Sequence, residues 1–236
     1  EYLRLLKDSI RLRFRADVPI GFNISGGVDS SLLLALVNQQ EEQQHINAYT
    51  FYTGDERYDE LPWVQQMIDT TKNPLTRVKL SAEEIPTLAG KIALLQEEPF
   101  GGIPTLAYSK LFEQAQKDGV KVLLDGQGMD EQWAGYDYYR MADRVELNKG
   151  PVQQAKEQVY LNQTLKKDIL DFLPSPSTQR FHPDPLLNLQ IRDIVQTKIP
   201  RSMRFADRNS MAHSLELREP FLDHRVIELG LNQPAA

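Results

Sequence analysis

Pro19-Ile20-Gly21-Phe22-Asn23-Ile24 runs into Ser25-Gly26-Gly27-Val28-Asp29-Ser30-Ser31 and on into Leu32-Leu33-Leu34-Ala35-Leu36-Val37, and this order decides the fold. The first run is short, apolar and bounded by proline and glycine, which predicts a buried strand. Residues 29–38 are apolar nearly all round and predict a helix buried against a sheet. The turn between them exposes the N–H groups of the helix's first turn, which favour an anion by roughly 0.3–1 kcal/mol, up to ~2 when partly buried. Gly26 and Gly27 permit close backbone approach and positive φ, and Ser25, Ser30 and Ser31 add hydroxyl donors. Asp29 is the odd member, since a carboxylate repels phosphate unless a cation lies between them; Mg²⁺ is the natural bridge. The plain alternative is a strand–turn–helix connection with a Ser/Asp cap.

Outward from this turn the pattern alternates. Leu3, Leu6, Ile10 and Phe14 are spaced by three and four, predicting an amphipathic helix over 2–15. Strands are expected at 46–52, 75–80 and 120–124, and helices at 59–71, 82–95 and 104–118, the last stopped by Gly119. Strands alternating with helices predict an α/β fold with a parallel sheet covered on both faces, whose ligands bind beyond the carboxyl ends of the strands. After residue 131 the pattern turns helical, with a proline-broken surface loop over 174–185 and one or two helices over 186–213.

A second glycine-rich segment, Leu124-Asp125-Gly126-Gln127-Gly128-Met129-Asp130-Glu131, follows the strand at 120–124. Asp130 is placed to supply a second Mg²⁺ ligand from a neighbouring strand end, and two carboxylates from two loops can hold metal against a triphosphate. The alternative is a loop in which Asp130 or Glu131 caps the next helix. Trp133, Tyr136, Tyr138 and Tyr139 are read as packing residues, and Arg201, Arg204 and Arg208, which share a helical face, as paired surface charges.

Composition narrows the classes. The net charge of −6 argues against a nucleic-acid partner. With no cysteine, disulfides, thiolate metal sites and a cysteine nucleophile are excluded within this chain. His45, His182, His213 and His224 lack metal-ligand spacing. No apolar run reaches membrane-spanning length and no secretory signal is visible, so a cytoplasmic protein is expected.

The first turn resembles the loop of enzymes that split ATP into AMP and pyrophosphate, and lacks the Gly-Lys-Ser/Thr of a Walker A loop. The second loop with Gly135-Tyr136 resembles the Ser-Gly-Glu-Gly-x-Asp-Glu…Gly-Tyr segment of asparagine synthetases. The stretch Asp207-Arg208-Asn209-Ser210-Met211-Ala212 through Glu216-Leu217-Arg218-Glu219-Pro220-Phe221-Leu222-Asp223 resembles their Asp-Arg-x-Ser-Met-Ala…Glu-x-Arg-x-Pro-Phe-Leu-Asp. The chain also resembles beta-lactam synthetase.

This resemblance implies a single ATP-pyrophosphatase domain over 1–236 of the adenine nucleotide alpha hydrolase-like class, with about five parallel strands and a helical C-terminal part. It implies that Ser25, Gly26, Gly27, Asp29, Ser30 and Ser31 hold the pyrophosphate portion of ATP, and that Asp29 and Asp130 bind Mg²⁺. Backbone around Asn23, Thr53, Asp125 and Gly126 would contact the adenosine. The implied reaction adenylates a carboxylate, in the simplest case the aspartate side chain, and passes ammonia or an amine to it. The partners are then a small carboxylate, ammonia or an amine, and a glutaminase domain or subunit, with a homodimer allowed and neither nucleic acid nor membrane involved.

Three departures qualify the implication. Gln127 stands where asparagine synthetases usually carry the Glu that is the candidate base, and Gln takes no proton at neutral pH. The chain ends at Ala236, before the lysine the family uses downstream, and begins at Glu1 without a glutaminase domain, so a truncated piece is expected. An amide synthetase with another acceptor, in secondary metabolism or surface modification, and a nucleotide-binding regulatory module stay open as alternatives.

Overall fold

The computed structural model describes residues 1–40, 46–144 and 179–233. His45, Pro174 and Pro176 of the sequence expectations lie outside them. In chain order the elements are α1 (Tyr2–Arg13), β1 (Ile20–Asn23), α2 (Val28–Asn38), β2 (Asn47–Tyr52), α3 (Leu61–Thr71), β3 (Leu75–Lys79), α4 (Ile85–Gln96), α5 (Ile103–Lys117) and β4 (Val122–Leu124). There follow α6 (Met129–Trp133), a 3₁₀ segment (Asp137–Arg144), α7 (Pro185–Val195), α8 (Lys198–Met211), β5 (Glu216–Arg218) and α9 (His224–Leu231). The chain divides into two compact units, Glu1–Met129 with Arg201–Ala236, and Asp130–Pro200.

The first unit holds a five-stranded, wholly parallel sheet in the order β3-β2-β1-β4-β5. Strand alternation sorts its residues onto two faces. Phe22, Ile24, Ala48, Val122 and Leu124 join Leu33, Leu34 and Val37 of α2 and Leu6 and Ile10 of α1 in one core. Tyr49, Val120 and Leu123 join Leu111, Phe112 and Ala115 of α5 in the other. Gly21 is where the second face closes: a Cβ there would stand 2.8 Å from Leu123 and 3.0 Å from the Tyr49 ring. α5 ends as expected at Gly119 (φ +82°), with the Val120 N–H returning to the Ala115 carbonyl.

The chain leaves β1 for β2 and β3 on one side and later returns to β4 on the other. The order therefore reverses between β1 and β4, and the crevice beyond their carboxyl ends is where such sheets bind ligands. Both glycine-rich segments begin at those two ends.

Residues 216–218 and 224–231 are elements that the sequence pattern does not announce. β5 is three residues long and its one apolar side chain, Leu217, pairs with Leu123. Neighbours outside it fix the strand: Arg218 donates to the carbonyls of Arg13 (2.6 Å) and Arg15 (3.1 Å). Asp223 caps α9 by accepting from the Arg225 N–H at 3.1 Å. The same carboxylate pairs with Arg225 (2.9 Å) and Arg13 (3.3 Å).

Among the described residues of the second unit, buried Asp193 accepts from the hydroxyls of Tyr138 (2.6 Å), Tyr139 (3.0 Å) and Thr197 (2.8 Å). Tyr136 stacks on Tyr138 with ring centroids 5.6 Å apart, so these tyrosines pack against one another as expected. Gln190 donates to the carbonyls of Glu131 (2.9 Å) and Gln132 (2.8 Å) and Lys198 pairs with Glu131 at 3.4 Å. No helix among the described residues is long and apolar enough to cross a membrane.

Candidate active site

The first loop closes on itself through its serines. Ser30 Oγ donates to the Ser25 carbonyl (2.9 Å) and accepts from the Ser25 N–H (3.2 Å), while the two hydroxyls stand 3.0 Å apart. The Gly27 N–H donates to Ser25 Oγ at 3.2 Å. Gly27 is the N-cap of α2 at φ −73°, and Gly26 is not at positive φ either. The conformational freedom expected of this pair is therefore unused. Gly26 is small because α3 crosses it: a Cβ would meet those of Glu60 (2.8 Å) and Trp63 (3.0 Å). Its N–H donates to the exposed Glu60 carboxylate at 2.9 Å, so an acidic side chain occupies an amide of the kind expected to face phosphate. Asp29 and Ser31 lie in the first turn of α2.

Gly126 joins the second loop to the first. A Cβ on it would lie 3.3 Å from the Ser30 nitrogen and 3.4 Å from its Cα. The backbone of the second loop thus packs on the first turn of α2. Gly128, at φ +105°, is the position where only glycine is unstrained.

Between the loops lies a buried polar network. Asp125 accepts from the Gly126 N–H at 2.7 Å and is bonded by the side chains of Asn23 and Gln127. Asn23 also bonds the Tyr108 hydroxyl. Burial raises Asp125 above the ordinary carboxylate range against the lowering effect of those bonds. The Asp125 N–H donates to the Arg218 carbonyl, which carries the β4–β5 ladder on and sets Asp125 beside Glu219. Glu219 is buried, and Oε2 accepts from the Gln127 N–H at 3.1 Å, whereas Oε1 is buried without a hydrogen-bond partner. Burial first, and the Asp125 charge second, push its carboxyl well above the usual value.

Thr53 follows β2, the strand beside β1. Its N–H and hydroxyl both donate to Asp59, at 2.6 and 2.8 Å. Asp130 is the first residue of the second unit. There its carboxylate lies over the Gly135 backbone and bonds the Tyr136 hydroxyl, so any side chain at 135 would collide with it. Arg208 pairs with Glu97 at 2.9 Å and Arg204 pairs with Glu98, the surface pairing expected of them.

Sequence reasoning thus named Asn23, Ser25, Gly26, Gly27, Asp29, Ser30, Ser31, Asp125, Gly126 and Gln127 near the reversal point, and did not name Glu219 or Tyr108 as site residues. For Glu219 a signal existed: an acidic residue directly before Pro220-Phe221-Leu222, where an apolar segment turns inward.

The asparagine synthase family model matches residues 1–236. Over 240 residues the chain is 30% identical to a Methanocaldococcus jannaschii protein provisionally named asparagine synthetase (glutamine-hydrolyzing) 1, covering 99% of this chain and 36% of that one. It is 24% identical over 262 residues to asparagine synthetase (glutamine-hydrolyzing) 3 of Bacillus subtilis, covering 98% of this chain and 41% of that one. The chain spans well under half the length of these relatives. Among solved structures, the U34-tRNA thiolase NcsA of Methanococcus maripaludis aligns with a TM-score of 0.42 at 13% identity, over 99% of this chain and 81% of that one.

Proposed function

This chain belongs to the asparagine synthase family, a family of ligases, and on that premise we propose that residues 1–236 are a synthetase domain that adenylates a small carboxylate and joins nitrogen to it. The observation that carries the reading is the packing of Gly126 on the first turn of α2, which brings both glycine loops to the reversal point of the sheet.

In the first step a carboxylate oxygen, taken as that of the aspartate side chain, attacks the α-phosphorus of ATP. The bond to the bridging oxygen breaks and pyrophosphate leaves. The amides of the first loop and the N-terminus of α2 hold the departing charge, and the Glu60 carboxylate gives up the Gly26 N–H to it. The hydroxyls of Ser25 and Ser30 hold the loop closed. Backbone at Asn23, Thr53, Asp125 and Gly126 faces the adenosine. In the second step ammonia attacks the acyl carbon, the acyl–oxygen bond breaks and AMP departs.

Asp29 and Asp130 are hard oxygen donors suited to Mg²⁺. Among the described residues no group of three or more His, Cys, Asp or Glu could hold a metal ion. Mg²⁺ held by either carboxylate would neutralise charge on a triphosphate. The relatives' names carry the words glutamine-hydrolyzing, and a glutaminase domain or subunit is accordingly the proposed ammonia source.

Full-length protein given ATP, Mg²⁺, aspartate and ammonium is expected to release AMP and pyrophosphate in equal amounts with asparagine. ADP as the nucleotide product would sink the reading. Gln127 favours a second version, in which adenylation is the same and the acceptor differs. Pyrophosphate release driven by another carboxylate, and not by aspartate, would select it.

A further inference from the structure

The amide-forming step must remove a proton from the attacking nitrogen as the C–N bond forms. Gln127, on the second loop, has no group that accepts a proton at neutral pH. Asp125 has its oxygens engaged by the Gly126 N–H, Asn23 and Gln127. Glu219 differs from both. The β4–β5 register carries it past Arg218 to the carboxyl end of the sheet, beside Asp125 and under the second loop. It is 8% exposed. One oxygen is fixed by the Gln127 N–H at 3.1 Å and the other is buried with no partner.

A carboxylate oxygen withdrawn from water and left unpaired is costly, and a catalytic role is one reason for a fold to keep it. We infer that Glu219 Oε1 is the proton acceptor for the amine that attacks the acyl-adenylate. The nitrogen's lone pair forms the C–N bond, the acyl–oxygen bond breaks with its electrons passing to the AMP phosphate, and the N–H proton goes to Glu219 Oε1. Charge and atoms balance: acyl-adenylate, neutral amine and carboxylate become amide, AMP and carboxylic acid. The acid returns its proton to solvent between turnovers.

The surroundings suit the task. Glu219 faces Asp125 from β4, Tyr108 from α5 and Arg13 from α1. Burial and the neighbouring Asp125 charge raise its proton affinity, and the Arg13 guanidinium only partly offsets them. A carboxyl tuned upward in this way is a stronger base near neutral pH than an exposed one.

This inference rests on the adenylation reading, and the test separates the two. Full-length protein and Glu219→Gln are assayed with ATP, Mg²⁺ and aspartate for ATP–pyrophosphate exchange, which reads adenylation, and with added ammonium chloride for asparagine. Gln keeps an acceptor for the Gln127 N–H and the side chain's volume. The expected result is a ratio of asparagine formation to exchange lowered by about 10²–10⁴-fold, the range of general-base contributions. The wild-type rate of the amine step should also rise with pH through the raised carboxylate range, and the variant should lose that limb. An unchanged ratio, or exchange and asparagine falling together, would overturn the assignment while leaving the adenylation reading intact. No exchange in the wild type with aspartate or with any other small carboxylate would overturn both.

Discussion

At the scale of single residues, the smallest side chains carry the most specific information. Gly126 is small because another loop's backbone lies against it, with Ser30 N only 3.3 Å from where a Cβ would stand. Replacing it by alanine should displace the first turn of α2, at about 1–3 kcal/mol for overpacking, and weaken ATP binding about tenfold. Urea denaturation and titration calorimetry on Gly126→Ala check both; unchanged ATP affinity would detach the second loop from the nucleotide. Gly26 and Gly128 look alike in sequence and act differently. Gly26 yields room to Glu60 and Trp63, whereas Gly128 supplies a left-handed turn. Pattern alone could not tell those uses apart, because both are properties of what the backbone meets.

At the scale of elements, local pattern located α1 to α5 and β1 to β4, the helices by apolar spacing and the strands by short apolar runs that supply the cores on both faces of the sheet. β5 and α9 escaped it. Glu216-Leu217-Arg218 has one apolar residue and forms a strand because β4 offers its edge and the Arg13 and Arg15 carbonyls hold Arg218. α9 depends on Asp223 at its N-cap. Asp223→Ala is expected to cost about 0.5–2 kcal/mol for the cap, and more because Arg13 and Arg225 lose their shared partner. Asp223→Asn keeps a capping oxygen and should lose less. Urea melts of both variants check the order, and equal losses would show that the ion pairs, not the cap, hold this end of the chain.

At the scale of the whole molecule, carboxyl groups shifted in opposite directions shape stability against pH. The Asp223 carboxyl is held below its ordinary value by Arg225, so its contribution is full above about pH 4 and is lost as pH falls below that. Asp125 and Glu219 are raised, so the fold binds their protons more tightly than the unfolded chain does. Their contribution is full below about pH 4 and is lost as pH rises through the raised range. Glu219→Gln should therefore melt at a higher temperature than wild type at pH 8, with the gap closing towards pH 4. A lower melting temperature at pH 8 would mean that the carboxylate is stabilising where it sits. The amino-acid sequence alone determined the alternation of strand and helix, the two glycine turns and the acids around them, since periodicity, turn chemistry and helix ends are local. Only the tertiary structure decided that Glu219, some ninety residues from Gln127 in the chain, lies beneath it, and that Glu60 rests on Gly26. Proximity between distant residues comes from strand order and packing, which act through space and leave no periodic trace along the chain.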